Sequence, residues 1–295
     1  VGLATGVGMS AEPAPASKPV MFSGKIESVR MADDLVVFAG AGGNVAVWFD
    51  AGRMLMIDAG IPHRSAELIG LVTKLAPDAK SKTLFNTHWH FDHTGGNAAF
   101  VAAGFTTVGT AACRQRLGET INLADLGMTV EPTPETARPV VAFEEKLTLF
   151  AGAEPVRLIK FPASHTDTDA VAYFEKRNLL HTGDLLVSGG YPVIDRATGG
   201  SLDGMIAATK LLRTVGDEKT TIIPGHGPVG DRAMIQTQLD LLNLVRDRLA
   251  PLAEKKMTLD EVSKLAPLAD LDDKWGRGFL RSPVFTRMAY GQWVK

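Results

Sequence analysis

Residues 86–97 read Asn-Thr-His-Trp-His-Phe-Asp-His-Thr-Gly-Gly-Asn, and within six of these positions stand His88, His90, Asp92 and His93. Such a run restricts what the chain can become. In an extended segment, side chains two apart point to the same side, so His88 and His90 can converge on one ion. Asp92 and His93 are adjacent and diverge from that pair unless the chain turns. Thr94-Gly95-Gly96 supplies a turn, and Asn97 opens a helix-like stretch. The segment therefore reads as one loop feeding two neighbouring metal positions. Imidazole with a carboxylate suits zinc, and iron, manganese and cobalt accept the same donors.

One loop cannot close two sites, so further ligands must come from elsewhere. Three candidates stand at the ends of apolar runs: His165 after Leu-Ile-Lys-Phe-Pro-Ala-Ser, Asp184 after Leu-Leu-His-Thr-Gly, and His226 after Thr-Ile-Ile-Pro-Gly. Strand ends beside Gly or Pro are where a rigid scaffold presents functional side chains. Taken singly, each reads equally well as a cap, a turn residue or a buried hydrogen-bonded group; their shared context favours ligation. His181, inside an apolar run, reads as a structural or ligand-orienting group, and His63 as a surface residue.

The rest of the chain is compatible with an ordinary globular enzyme. It has 295 residues, of which 45% are apolar and 22% charged, enough for a large core. A net charge of -2 gives no electrostatic case for nucleic acid as a partner. The single cysteine, Cys113, excludes an intramolecular disulfide framework and a Cys-rich zinc cage. No apolar run reaches the roughly 18 residues that span a bilayer. The partner expected is a small-molecule substrate, with no nucleic acid and no membrane; the oligomeric state is not legible. Residues 1–20, small, apolar and then Pro/Ala-rich, read as a disordered tail or the remnant of a signal peptide, which points to a periplasmic or secreted protein and otherwise to a cytoplasmic one.

Residues 21–295 read as a single domain. Short β-rich runs at 26–29, 35–38, 45–49 and 54–57, separated by Gly-rich or Asp-Gly turns, predict an antiparallel meander. Helical spacing follows at 66–75, a strand at 83–86 and a helix at 98–103. The second half repeats the alternation, with strands near 141 and at 147–150, 156–161, 170–174, 179–182 and 221–223, and helices at 203–214 and 230–250. Residues 131–139 read as a loop. The aromatic-rich tail from 273 packs against the body in a form the pattern does not specify. The grouping predicts an α+β protein with two packed sheets and helices outside.

The segment Thr-His-Trp-His-Phe-Asp-His-Thr-Gly-Gly-Asn resembles the His-x-His-x-Asp-His signature of the metallo-β-lactamase superfamily. Supporting pieces stand in order around it: Met56-Ile-Asp-Ala-Gly60 before, then Ser164-His-Thr166, Thr182-Gly-Asp184 and Pro224-Gly-His-Gly227 after. The resemblance spans roughly residues 25–250. It implies a four-layer αββα sandwich of two mixed sheets with the site at one edge. It further implies that His88, His90 and His165 hold one metal, that Asp92, His93 and His226 hold a second, and that Asp184 bridges them. Asp58 would orient a ligand histidine or the signature loop.

The implied chemistry is attack on an acyl carbon by a hydroxide generated on two zinc ions, with Asp92 orienting it. No Gly-x-Ser-x-Gly elbow or placed cysteine offers a protein nucleophile instead. Tyr191, in the loop Ser-Gly-Gly-Tyr-Pro-Val-Ile-Asp, is a candidate donor to the oxyanion. The expected substrate is a cyclic amide, ester or thioester, β-lactams included. Cys113 lies away from every motif, unlike the metal-binding cysteine of many true β-lactamases. A glyoxalase II-like thioesterase or lactonase is one alternative, although His165-Thr-Asp-Thr-Asp169 departs from the Gly-rich stretch usual there. An iron-dependent, persulfide dioxygenase-like oxidoreductase is another. Loops 39–44, 59–64 and 188–200 are expected to shape the pocket.

Overall fold

The computed structural model describes residues 24–50 and 52–294; the proposed tail at 1–20 lies outside the described residues. Along the chain the strands are β1 (Glu27–Ala32), β2 (Leu35–Ala39), β3 (Val45–Phe49), β4 (Arg53–Ile57), β5 (Ser81–Phe85), β6 (Thr106–Thr110) and β7 (Ile121–Leu123). Then follow β8 (Met128–Val130), β9 (Val141–Phe143), β10 (Lys146–Ala151), β11 (Glu154–Lys160), β12 (Ala170–Phe174), β13 (Leu179–His181) and β14 (Thr221–Ile223). The helices are α1 (Ser65–Val72), α2 (Phe91–Thr94), α3 (Asn97–Ala102), α4 (Ala111–Arg116), α5 (Leu202–Leu212), α6 (Ala233–Glu254), α7 (Leu259–Leu265), α8 (Asp272–Trp275) and α9 (Ser282–Tyr290).

One sheet has the order β1-β2-β3-β4-β5-β6-β9, antiparallel through β4 and parallel beyond it. The other has the order β10-β11-β12-β13-β14, with only the last pair parallel. Strands such as Leu-Val-Val-Phe-Ala and Val-Ala-Val-Trp-Phe are buried on both faces, and the two-residue period sorts their side chains into different cores. Leu35, Val37, Ala46, Trp48, Leu55 and Ile57 meet Val156, Leu158, Ala172 and Phe174 between the sheets. Their neighbours Val36, Phe38, Val47 and Met56 face outward onto Leu68 and Val72 of α1 and Phe100 of α3. On the far side, Val171, Tyr173, Leu180 and Ile222 pack on Ala208 and Leu212 of α5 and Ile235 of α6. The result is helix, sheet, sheet, helix, as expected.

The expected strands and helices recur with ends shifted by a few residues. Several elements were not foreseen: β6, the β7–β8 hairpin and α7, which starts on a Thr258/Glu261 capping box. The tail from 273, left without an assignment, supplies the end of α8 and all of α9. Trp275, Phe285, Met288 and Tyr290 pack there with Tyr191, Leu202, Leu242 and Val245. The tail thus lies beside the loop that follows β13. No helix among the described residues is long and apolar enough to cross a membrane.

Candidate metal centre

Five chain segments reach one edge of the sandwich. They follow the C-terminal ends of β4, β5, β13 and β14, plus the β11–β12 connection, so the parallel pairs β4–β5 and β13–β14 each aim their loops at this edge. Asp58 leaves β4 at φ 64, a left-handed conformation that costs a non-glycine residue on the order of 1 kcal/mol. Its fully buried carboxylate accepts from Thr87 N, Thr87 Oγ1 and His93 Nδ1, each at 2.8 Å. These three bonds fix the loop after β5 against the end of β4.

His88 and His90 do converge, with ring centroids 4.9 Å apart, but not from an extended strand. Residues 87–89 form a bend and Phe91–Thr94 a helical turn, which brings Asp92 and His93 back toward the same centre. Trp89, between the two histidines, is buried and donates from Nε1 to Thr198 Oγ1 at 3.1 Å, holding the bend to the protein body.

Four of the histidines are tied by the nitrogen that points outward. His88 Nδ1 lies 3.0 Å from Thr87 Oγ1, whose own proton goes to Asp58, so the imidazole is the donor. His90 Nε2 donates to Asp195 Oδ2 at 3.0 Å, His165 Nδ1 to the Val193 carbonyl at 2.8 Å, and His93 Nδ1 to Asp58. Each bond selects the tautomer whose lone pair faces inward. Inward, His90 Nδ1 and His165 Nε2 stand 2.9 Å apart, and His93 Nε2 lies 3.3 Å from His226 Nε2. His88 Nε2 is buried with no hydrogen-bond partner. Asp184 sits among them, its Oδ1 3.1 Å from His93 Nε2 and its Oδ2 3.4 Å from His226 Nε2 and 3.8 Å from His165 Nε2. Asp92 Oδ2 lies 3.1 Å from His226 Nε2.

Three donor groups result, each with ligand atoms within 4.8 Å of one another: His88, His90 and His165; His88, His93 and Asp184; and Asp92, His93 and His226. Buried lone pairs that face each other, and one with no partner at all, are unfavourable unless something positive lies between them. The donor chemistry fits a divalent transition metal. All seven residues expected as ligands are therefore brought together.

The electrostatics divide the centre in two. Burial, with His93 and His165 nearby, holds His88 well below the usual histidine range, and burial and His90 lower His165. For His93 and His226 burial also disfavours charge. The carboxylates overrule it: Asp184, Asp92 and Asp58 hold His93 well above its usual range, and Asp184 and Asp92 raise His226 to about 10. Burial alone would raise the acids, but His93 and His226 lower Asp92 to about 2, and His226 and His93 hold Asp184 well below the carboxylate range.

The remaining expectations divide. His181 is buried and structural: its Nε2 donates to the Asn44 carbonyl at 3.0 Å. His63 is exposed. Tyr191, the candidate oxyanion donor, lines the cavity over the centre. Its ring stacks on Phe285, centroids 4.5 Å apart, and burial, then Asp272, raises its hydroxyl; Asp92 and Asp184 line the same cavity. Loops 39–44 and 59–64 do not line that cavity. The first serves as a clamp: Asn44 Nδ2 donates to the carbonyls of Pro224 and Gly227 at 2.8 Å each, fixing the turn that carries His226.

Two orienting residues were not singled out from the sequence. Asp195 meets His90 across 105 positions of chain. Asp169 receives the backbone N–H of His165 at 2.9 Å and the hydroxyls of Ser164 and Thr166 at 2.7 and 2.6 Å, which shapes the turn presenting His165. The second would have been accessible from the spacing of Ser164, Thr166 and Asp169, a local turn pattern.

The model of the metallo-β-lactamase superfamily matches residues 40–226, a stretch running from the Asn44 clamp to the last candidate ligand. The chain belongs to that superfamily. It is thereby placed in a fold family of metal-dependent hydrolases. Solved structures of similar fold include the metallo-β-lactamase from Pontibacter korlensis, 20% identical with a TM-score of 0.59, covering 74% of this chain and 99% of that one. The DIM-1 metallo-β-lactamase is 17% identical with a TM-score of 0.58, covering 75% and 98%. TMB-1 is 18% identical with a TM-score of 0.57, covering 74% and 97%. These likenesses establish the fold of this superfamily member. Helices α6 to α9 lie beyond the matched residues.

Proposed function

We propose that this superfamily member hydrolyses a cyclic amide, ester or thioester at a two-metal centre, with zinc as the ion. His88, His90 and His165 would hold one ion and Asp92, His93 and His226 the other, with Asp184 between them. The observation that carries the reading is the set of inward lone pairs on His88, His90, His93 and His165, each secured by an acceptor behind its ring. When bound, such a pair of ions supplies a water ionised near neutral pH and a Lewis acid for the carbonyl oxygen.

The protein's own residues do the rest. Asp58, Asp195 and the Val193 carbonyl hold the imidazoles in one tautomer and one orientation. Asp92, 14% exposed at the cavity floor, is the carboxylate that accepts a proton from the attacking water or orients it. Leu123, Leu126, Val187 and Val193 form an apolar wall that limits bulk water around the reacting carbonyl.

A structure of DIM-1 exposed to ceftazidime belongs to a protein of the same fold, and β-lactams therefore enter the substrate panel. Zinc-loaded protein is assayed with a chromogenic cephalosporin, aryl lactones and acyl thioesters beside a His88→Ala control. Turnover of at least one class, lost in the control, supports the proposal; no turnover above the control across the panel overturns it. About one iron per purified chain, with no hydrolysis, would favour oxygen chemistry instead.

A further inference from the structure

The cavity over the centre has a volume of about 480 Å³ and is lined in part by residues beyond the superfamily match: Arg277, Gly278 and Phe279. They sit at the tip of a loop between α8 and α9 whose base is pinned. Asp272 accepts from Ser282 N at 2.8 Å and Ser282 Oγ at 3.0 Å, Trp275 is buried in the C-terminal core, and the Trp275 carbonyl accepts from Tyr191 N at 3.2 Å. Gly278 lies against Gly190, so the tip reaches the loop that follows Asp184. The tip is thus held over the cavity by rigid elements on either side.

Arg277 is the one cationic side chain lining the cavity, among the described residues, apart from the metal-type histidines. Its Nε donates to the Asp273 carbonyl at 2.7 Å, which orients the guanidinium and leaves both terminal nitrogens uncommitted. A planar fork with two free donors matches a carboxylate bidentately. Phe279 beside it is 59% exposed and lines the same cavity, so its ring offers an apolar surface at the mouth. Across the cavity stand Leu123 and Leu126 of the β7–β8 hairpin region.

We infer that Arg277 is a specificity-determining residue, selecting substrates that carry a carboxylate on an apolar body, with Phe279 as an aromatic lip for that body. The inference rests on the proposed function, since the labile carbonyl must reach the floor formed by Asp92, Asp184 and His226. The guanidinium takes the carboxylate at the rim, and the apolar part spans the wall between.

The test needs no turnover. Binding of 4-phenylbutanoate and of its neutral partner 4-phenylbutanamide is measured by calorimetry on the zinc-loaded protein and on Arg277→Gln, Arg277→Lys and Arg277→Glu. Loss of a charge-assisted pair is expected to weaken the carboxylate roughly 10- to 100-fold in Arg277→Gln. Arg277→Lys falls between, Arg277→Glu is weakest, and the amide is unchanged throughout. Phe279→Ala weakens both probes alike. A wild-type protein that does not prefer the carboxylate overturns the inference, as does an equal loss for both probes. So does carboxylate binding unmoved by Arg277→Gln, the result if the metals alone held it. Absence of turnover in the substrate panel would sink the hydrolase reading and leave this ratio to be read on its own.

Discussion

Nδ1 of His90 and Nε2 of His165 face each other at 2.9 Å, while the other nitrogen of each ring donates to an acceptor behind it, Asp195 for His90 and the Val193 carbonyl for His165. Two lone pairs aimed at one point, with protons already placed elsewhere, are the local signature of a cation site.

Asp195 should therefore control metal affinity at a distance from the metal. Its carboxylate also receives Thr198 Oγ1, which in turn receives Trp89 Nε1, so one network orients the ring of His90 and the bend beside it. The His90 bond holds the Asp195 carboxyl below its ordinary value although burial opposes this. Asp195→Asn is expected to lose roughly 10- to 100-fold in zinc affinity, measured by chelator competition. Unchanged affinity would contradict the assigned role.

Two glycines are moulded to the candidate ligands. A Cβ on Gly43 would overlap the ring of His93, and one on Gly225 would overlap Asp184 Oδ1. Gly43→Ala and Gly225→Ala should lower metal content more than melting temperature, because the clash falls on ligand atoms rather than on the sheets. A full metal complement in both variants would contradict the tight fit.

Metal uptake should release protons unevenly. In the metal-free protein Asp184 and Asp92 raise His226 to about 10 against the effect of burial, whereas burial lowers His88 and His165. An imidazole below its pKa carries a proton that a cation must displace. Affinity at the Asp92, His93 and His226 group should thus fall as pH drops from about 10 through neutrality. Calorimetric titration in buffers of different ionisation enthalpy should show net proton release on the weaker of two binding steps. A buffer-independent second step would contradict this.

How much of this was visible in the sequence depended on the range of the interaction. The continuous apolar runs of β2, β3 and β4 are a local signal, and they marked the strands that the structure buries on both faces. The ligand run at 88–93 is also local, and the resemblance carried it to His165, Asp184 and His226. Asp195 was not legible, because nothing in Val-Ile-Asp-Arg connects it with a histidine 105 residues earlier. The surroundings of Tyr191 were not legible for the same reason: Phe285 and Asp272 come from a tail whose irregular aromatic spacing gave no element. The Gly-rich stretch 40–44 looked like a pocket loop, yet close packing against His93 and the turn at His226 explains its composition.

The number of metal ions per chain, determined by elemental analysis after zinc loading and desalting, reaches the centre of the account. Wild-type protein should carry two, while His88→Ala and His226→Ala should each retain about one. A wild-type protein holding a single ion, or variants that keep both, would contradict the two-ion assignment of these seven side chains.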